Sequence, residues 1–418
     1  MRFELNMPPG DRQRSLMDHF NAALREKMQE YGGSSQLSSD DTFLSITRGR
    51  FRMAEGSIPL IWRMSRHRDG TLSWIEVCPA DAPRDSGSWE WEIKDFVLTV
   101  MASALSNSKA EFFHDSLFYY IGPPLDGEYW LPGFRLAPAI PGDTEPEWWA
   151  ERIVSISFSV CATDRSNAGT VAQVKAARIA ARLSLILNVG FYERVPERRW
   201  VEMPVDNGGR TEAHRLWLGL TTPELRLSSM PNKEEVCPLG AFDGSLDRRN
   251  WVDEKTLSMP PETRAILRGF DGLEPAVSDA LDRAARLTQV ALVVKPRYPS
   301  VALAYQVAAI EAIAKSTGQF TGFSDFVRRN IPYEADLTDI LETLYGRARS
   351  GHFHAGEFPV GEFDSLPVGD PFFDPQVIQR MQLRSWGDLI LRRALVSWMR
   401  TTIPELRRTH DEPCCPTA

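Results

Sequence analysis

Two arginines and two histidines lie within residues 347–354, although the whole chain has only seven histidines. Histidine transfers protons near neutral pH, and the guanidinium of arginine is a permanently charged fork that matches the oxygens of a phosphate. The segment therefore places a proton-transfer group beside a phosphate clamp. Cleavage of an RNA strand without a metal needs both, because a base must take the 2′-hydroxyl proton and a cation must stabilise the charge on the phosphate.

The segment fits this chemistry in two registers. Arg349 and His354 are separated by four residues, with Ser350 after the arginine and Ala-Gly after the histidine. Arg347 and His352 have the same separation two residues earlier. Two positions along an α-helix correspond to a rotation of about 200°, so the two arginines cannot both face one phosphate.

The Arg-x4-His spacing, with its Ser and Ala-Gly flanks, resembles the Arg-x4–6-His signature of HEPN domains, most closely the Apea-like HEPN group. The resemblance covers roughly residues 262–405. It implies a metal-independent endoribonuclease that cuts RNA by attack of the 2′-hydroxyl and leaves a 2′,3′-cyclic phosphate, in phage defence or toxin-like growth control. It also implies RNA as the partner, a homodimer in which two copies of the motif meet, and no cofactor or metal ion.

The resemblance also assigns roles to single residues. It implies His354 as the proton-transfer residue and Arg349 as the phosphate clamp, and the flanking residues favour this register over the earlier one. Ser350 could hold the arginine or the phosphate by a hydrogen bond. Glu311 matches the acidic residue that the family carries on its second long helix, where it could orient Arg349 or His354.

In this register Arg347 and His352 are supporting groups. A different interpretation needs no catalysis, because cations at the C-terminal end of a helix are favoured by its dipole. The chain would then be a non-catalytic RNA- or nucleotide-binding module, or a dimerisation module. The pair His352-x-His354 could also bind a metal, but no set of Cys, His or Asp accompanies it at a recognisable spacing.

Composition limits the classes of function. The chain of 418 residues has 43% hydrophobic and 25% charged residues, which is typical of a globular protein. Its formal net charge is −8, so contact with RNA must come from a local cluster of arginines. The five cysteines form no C-x2-C pair, and no apolar run is long enough for a membrane span. We therefore expect a cytoplasmic protein with no membrane partner.

The pattern of apolar residues predicts an α+β protein overall. In the N-terminal part, alternating apolar and polar residues predict strands at 71–77, 89–93 and 152–162, and a helix is predicted at 171–187. Residues 122–148 are predicted to be a long connection, and residues 204–262 to be irregular. We assign residues 1–260 to an N-terminal domain of mixed helices and strands, a possible sensor or recruitment region.

The rest of the chain is predicted to be an all-α, HEPN-like helical bundle at residues 261–405, followed by a flexible tail at residues 406–418. Four arginines of its last helix could extend an RNA-binding surface, although a solvated helix face is the commoner explanation for such residues; they are Arg380, Arg384, Arg392 and Arg393. The helices of the bundle are predicted at 274–294, 300–316, 323–330, 337–348 and 377–399.

Overall fold

The computed structural model is α+β, with long helices and with sheets whose assigned pairs are antiparallel. The chain divides into two compact units. The first comprises Met1–Phe112 and Val160–Ala172, and the second comprises Phe113–Ser159 and Gln173–Ala418. The structure describes residues 1–4, 16, 19–21, 23–24, 26–37, 42–53, 56–67, 72–80, 88–106, 110–140, 150–163, 165–193, 197–204, 211–218, 225–227, 229–248, 255–331, 337–364 and 374–403.

The first unit contains a five-stranded sheet in the order β1-β5-β4-β3-β2. Trp62 is fully buried at its centre, with the rings of Phe20 and Phe96 against it edge-on at 5.5 and 5.8 Å. Leu60, Trp62 and Met64 alternate inward along β4, as a strand with one buried face requires. The strands are β1 (Arg2–Glu4), β2 (Met28–Leu37), β3 (Thr42–Met53), β4 (Gly56–His67) and β5 (Leu72–Pro79).

The strand predicted at 71–77 is confirmed by β5, whereas the strand predicted at 89–93 is wrong. Those residues begin α1, which runs from Ser88 to Ser106. Trp89, Ile93, Val97 and Val100 are buried along it, and this spacing of three and four residues is the period of one helix face. The five residues 89–93 alone show only an alternation of apolar and polar residues. The helical period becomes apparent only with the apolar residues that follow them.

Most of another five-stranded sheet, in the order β12-β6-β9-β8-β7, lies in the second unit. β9 confirms the strand predicted at 152–162. The predicted connection at 122–148 instead contains a hairpin, with Gly133 at its turn in a left-handed conformation (φ 78°). The strands are β6 (Ala110–Ile121), β7 (Tyr129–Leu131), β8 (Phe134–Pro138), β9 (Glu151–Ala162) and β12 (Leu225–Leu227).

A separate two-stranded sheet joins β10 (Glu197–Pro204) to β11 (Thr211–Leu218). The stretch predicted to be irregular at 204–262 therefore contains β11 and β12. The helix predicted at 171–187 is confirmed by α2 (Arg165–Leu187).

The helices of residues 263–402 agree with most of the predicted positions. α5 lies at the centre of this group and is buried on most of its circumference, because its many alanines allow close approach of the helices around it. The helices are α3 (Thr263–Gly272), α4 (Pro275–Val294), α5 (Pro299–Thr317), α6 (Phe323–Asn330), α7 (Thr338–Thr343), a π-helix (Leu344–Gly351), α8 (His352–Ala355) and α9 (Pro375–Thr402).

The boundary predicted at residue 260 lies inside the second unit. Arg182 of α2 forms an ion pair of 2.7 Å with Asp282 of α4. Arg392 of α9 donates hydrogen bonds to the carbonyl oxygens of Leu185 and Ile186. Such bonds tie the C-terminal part of α2 to the later helices, and these parts of the chain belong to the second unit. Residues 406–418, predicted to be a flexible tail, lie outside the described residues, and no helix among those described is long and apolar enough to cross a membrane.

Candidate functional site

The Arg/His segment lies on a π-helix, not on the continuous α-helix predicted for 337–348. The chain leaves α7 at Thr343, follows the π-helix from Leu344 to Gly351, and continues into α8. In a π-helix each N–H bonds to the carbonyl five residues earlier, and the N–H of His352 reaches the carbonyl oxygen of Arg347 in this way. Residues five apart therefore lie one turn apart on the same side. The Arg/His pair that this wider turn joins is Arg347 and His352, whereas His354 lies beyond the π-helix, in α8.

Burial fixes one side of this π-helix. Leu344 and Ala348 are fully buried, whereas Tyr345 and Arg347 are exposed. The segment ends at Gly356, which adopts a left-handed conformation (φ 67°) and donates its N–H to the carbonyl of His352. Glycine takes this conformation without the steric cost that a side chain would add. The buried residues Leu344 and Ala348 fix which side of the segment faces the interior, and Gly356 fixes where the segment ends.

Arg349 is held by Glu311. Its Nε donates a hydrogen bond of 2.9 Å to Oε2 of Glu311 on α5, and the carboxylate is buried while the arginine is 24% exposed. Lys315 approaches the second oxygen of the same carboxylate at 3.7 Å. The hydrogen bond uses Nε, so within the described part of the chain the two terminal nitrogens of the guanidinium are left for a ligand.

The carboxylate–arginine contact is what an orienting role of Glu311 would require. The guanidinium carbon also lies 5.7 Å from the centre of the Tyr345 ring, within the range of a cation–π contact. Tyr345 is not among the residues that the sequence motif predicts for the site, although a tyrosine four residues before an arginine is a recognisable helix pair. Together, a carboxylate and a ring limit the orientations of the Arg349 side chain.

His354 lies in the last turn of α8 and is exposed. Ser350, next to Arg349, is partly exposed. A proton-transfer group must reach its substrate, and exposure at a helix end meets that requirement. The structure therefore places Arg349 and Glu311 in contact and leaves His354 open to solvent, while the predicted role of Ser350 stays a prediction.

The other Arg/His pair gathers around Glu357. Nε of Arg347 lies 4.0 Å from Oε2 of Glu357, and Nδ1 of His352 lies 3.1 Å from the carbonyl oxygen of Glu357. The imidazole also contacts the rings of Phe353 and Phe358 edge-on at 5.4 and 5.1 Å. His352 is therefore packed between phenylalanines, which suits a structural, supporting role.

Glu357 is a residue that the sequence did not single out. Its backbone N–H donates a hydrogen bond of 3.1 Å to the carbonyl oxygen of Gly351, and a Cβ at that glycine would lie 2.7 Å from Oε2 of Glu357. The signal in the sequence is weak, since a glutamate after a glycine cap is common on exposed surfaces. Its position nonetheless separates the two registers, because Arg347 is directed to Glu357 and Arg349 to Glu311.

Of the four arginines predicted to extend an RNA-binding surface, Arg392 is wrong for that role. It is buried and donates to three backbone carbonyl oxygens. Arg384 is exposed, and Arg380 forms an ion pair of 2.5 Å with Asp364. Arg393 is partly exposed.

Among the described residues, no group of three or more His, Cys, Asp or Glu side chains could hold a metal ion. In comparisons with known proteins, no family model, no curated protein and no solved structure matches the chain. The chemistry of its own residues is therefore the basis for assigning a function.

Proposed function

We propose that the chain is a metal-independent endoribonuclease of the HEPN type, with Arg349 and His354 as its catalytic residues. The observation that supports this proposal is the contact of Arg349 with the buried Glu311. Arg349 lies on the π-helix, which continues directly into the short helix of the exposed His354. A buried carboxylate holds the guanidinium fork in one orientation, and a pre-oriented cation stabilises the developing charge of a transition state without reorganisation.

His354 and Arg349 account for each proton transfer and for the charge on the phosphate during strand cleavage. One His354 accepts the proton of the 2′-hydroxyl, whose oxygen then forms a bond to the adjacent phosphorus. The bond from phosphorus to the 5′-oxygen breaks, and a protonated His354 donates a proton to that leaving oxygen. Arg349 neutralises the charge on the non-bridging oxygens throughout. The products are a 2′,3′-cyclic phosphate and a 5′-hydroxyl.

A single His354 cannot easily be base and acid on opposite sides of one phosphate. Two copies of the motif, related by a two-fold axis, supply both roles, and this symmetry is the commonest among homo-oligomers. We therefore propose that the helices of residues 261–405 form a HEPN-like bundle that dimerises. The order of two long helices, a short helix, the motif and a final long helix supports this proposal.

The N-terminal part of the chain would then sense a signal or recruit the RNA, in phage defence or toxin-like growth control. Its separate five-stranded sheet with its own core supports a distinct task for this part of the chain. RNA is the proposed partner of the helical part, and the setting follows from the resemblance of the motif.

The test is cleavage of end-labelled RNA by the purified full chain in excess chelator, with analysis of the product ends. We expect fragments that end in a 2′,3′-cyclic phosphate, and loss of cleavage in the His354→Ala variant. Binding of RNA without cleavage would replace this proposal with the non-catalytic RNA-binding module. Neither binding nor cleavage would leave a dimerisation module.

A further inference from the structure

A cavity of about 630 Å³ lies between α7, the π-helix and the first half of α9. This volume is within the range of small-ligand pockets, about 300–1,000 Å³. Its walls include two aromatic rings, three amides, two arginines and two carboxylates. The residues that concern recognition of a base and a phosphate are Trp386, Gln376, Gln379, Gln382, Arg347 and Arg380. Of the residues that line it, Arg347 belongs to the π-helix that also carries Arg349.

Trp386 gives the cavity an exposed aromatic wall. Its side chain is 52% exposed although it is the largest residue type, while its neighbours Leu383 and Gly387 on α9 are buried. A flat ring left open beside a cavity is a stacking platform for another flat ring. Bases of single-stranded nucleic acids bind proteins by stacking on such residues, because every base has a π-face.

The three glutamines lie on the same wall as Trp386. Gln376, Gln379 and Gln382 follow each other at intervals of three on α9, and all three are exposed. Each amide offers two donor hydrogens and an acceptor oxygen, the combination that hydrogen-bonds the edges of nucleobases. An aromatic face next to amides therefore fits the flat, polar-edged shape of a base.

Two arginines and two aspartates, Asp339 and Asp364, line the cavity, so its charged residues are balanced in number. Arg380 is paired with Asp364 at 2.5 Å, whereas Arg347 is 60% exposed and lies 4.0 Å from Glu357, itself 49% exposed. An exposed ion pair of that length is weak, so Arg347 is the cation that a phosphate can recruit. It stands on the π-helix two residues before Arg349.

We propose that this cavity binds one unpaired nucleotide of single-stranded RNA, with its base stacked on Trp386, its edge on the glutamines and a phosphate on Arg347. This inference rests on the proposed ribonuclease function and names its substrate class. A base inside a duplex is stacked on its neighbours and cannot enter such a cavity, so the subsite selects single strands.

The test measures RNA binding separately from cleavage. In a His354→Ala background, which keeps the RNA intact, fluorescence anisotropy follows a labelled single-stranded oligonucleotide and a duplex of the same sequence. We expect Trp386→Ala to weaken binding of the single strand about 10-fold or more, the scale of one lost base stack. Trp386→Phe should keep most of the affinity, because a phenyl ring still stacks. Trp91→Ala is the matched control, because Trp91 is 70% exposed on α1.

Different results overturn different proposals. Equal binding of the single strand by the Trp386→Ala and control variants would overturn the subsite, as would equal affinity for the duplex. A dimer that dissociates on Trp386→Ala with unchanged RNA affinity would instead make this wall an interface between copies of the chain. If RNA binding depends on Trp386 but the unmodified chain never cuts RNA, the ribonuclease proposal fails and the subsite stands.

Discussion

Nε of Arg349 donates a hydrogen bond of 2.9 Å to Oε2 of Glu311, a residue 38 positions earlier in the chain. The bond joins the π-helix to α5, and the carboxylate that receives it is only 8% exposed. A buried carboxylate needs a partner, because an uncompensated charge in the protein interior is costly. The same bond therefore stabilises Glu311 and orients the guanidinium that we propose as the phosphate clamp.

Replacing Glu311 should slow RNA cleavage through Arg349. We expect Glu311→Gln to lower kcat about tenfold, the difference between a charged and a neutral hydrogen bond. The measurement is a double-mutant cycle of cleavage rates with Arg349→Ala. If Glu311 acts by positioning Arg349, the double variant cuts no more slowly than Arg349→Ala alone. Additive losses would contradict this role, and Glu342→Gln is a matched control on the exposed side of α7.

The two registers should separate in kinetics. We expect Arg349→Ala and His354→Ala each to lower kcat at least ~100-fold, the scale for loss of a charge stabiliser or a general acid or base. Arg347→Ala should act mainly on the affinity for RNA, since Arg347 borders the cavity beside α9. His352→Ala should change kcat little, because its imidazole is packed between phenylalanines.

The opposite result would assign catalysis to the other Arg/His pair. If Arg347→Ala and His352→Ala abolish cleavage while Arg349→Ala and His354→Ala preserve it, the pair around Glu357 is catalytic. Arg349→Ala should lower the unfolding midpoint, because it leaves the buried carboxylate of Glu311 without this partner. The other three variants should keep the circular dichroism and unfolding midpoint of the unmodified chain within a few degrees. The exposed and half-exposed positions of these side chains are the reason, since substitutions there shift stability little.

Activity should require a dimer. If two copies of His354 share one phosphate, the specific activity should fall when the chain is diluted below its dissociation constant. Analytical ultracentrifugation and cleavage assays over the same concentration range check this expectation. A chain that stays monomeric at about micromolar concentration and still cuts RNA would contradict it, because an isologous pair is the basis of the proposed acid–base division.

The sequence predicts elements best where one face is regular over many residues. The strand at 152–162 and the helix at 171–187 are found because their apolar patterns are long and unbroken. The residues from Trp89 to Ile93 fit a strand in a short window, and only the following turns show the helix. Local patterns carry less information where tertiary packing decides.

The candidate site shows the same limit. The spacing of Arg349 and His354 and the acidic residue Glu311 are visible in the sequence, and the structure brings Arg349 and Glu311 into contact. The π-helix and the ion pair of Arg347 with Glu357 cannot be predicted from the sequence. Both depend on packing against residues that are distant along the chain or that follow a turn. Burial of Arg392 is equally hidden, because an amphipathic helix pattern does not show what covers each arginine.

Arg392 should be essential for stability and not for RNA binding. Burial lowers the pKa of its guanidinium to about 10, yet it remains charged at neutral pH, and it donates to the carbonyl oxygens of Leu185, Ile186 and Leu246. A lysine cannot reach three acceptors with a planar fork. We expect Arg392→Lys to lower the free energy of unfolding by about 3 kcal/mol or more.

The check is the midpoint of thermal unfolding by circular dichroism, with Arg384→Lys as the control on the exposed part of α9. The control should unfold at the temperature of the unmodified chain. An Arg392→Lys variant that is as stable as the control would show that the three carbonyl contacts contribute little to stability.

The stabilisation that Glu128 gives to the second unit should decrease at acidic pH. Its carboxylate is fully buried and accepts from Arg135 at 2.6 Å, from the indole of Trp130 at 3.0 Å and from the backbone N–H of Glu234 at 2.6 Å. Burial alone would raise its pKa, but these hydrogen bonds together with the charge of Arg135 outweigh burial and leave the pKa below its usual value of 4.5. The folded chain therefore binds this proton less readily than the unfolded chain does.

The sign of the pH dependence follows from that lowered pKa. The stabilisation is fully present above the unfolded value of 4.5 and is lost as pH falls below it, because the unfolded chain takes up the proton first. We expect Glu128→Gln to cost about 1–3 kcal/mol at neutral pH and much less at pH ~3. Unfolding midpoints of both chains across this range, with Glu111→Gln as an exposed control, measure the difference. An equal difference at both pH values would rule out the ionised carboxylate as its source.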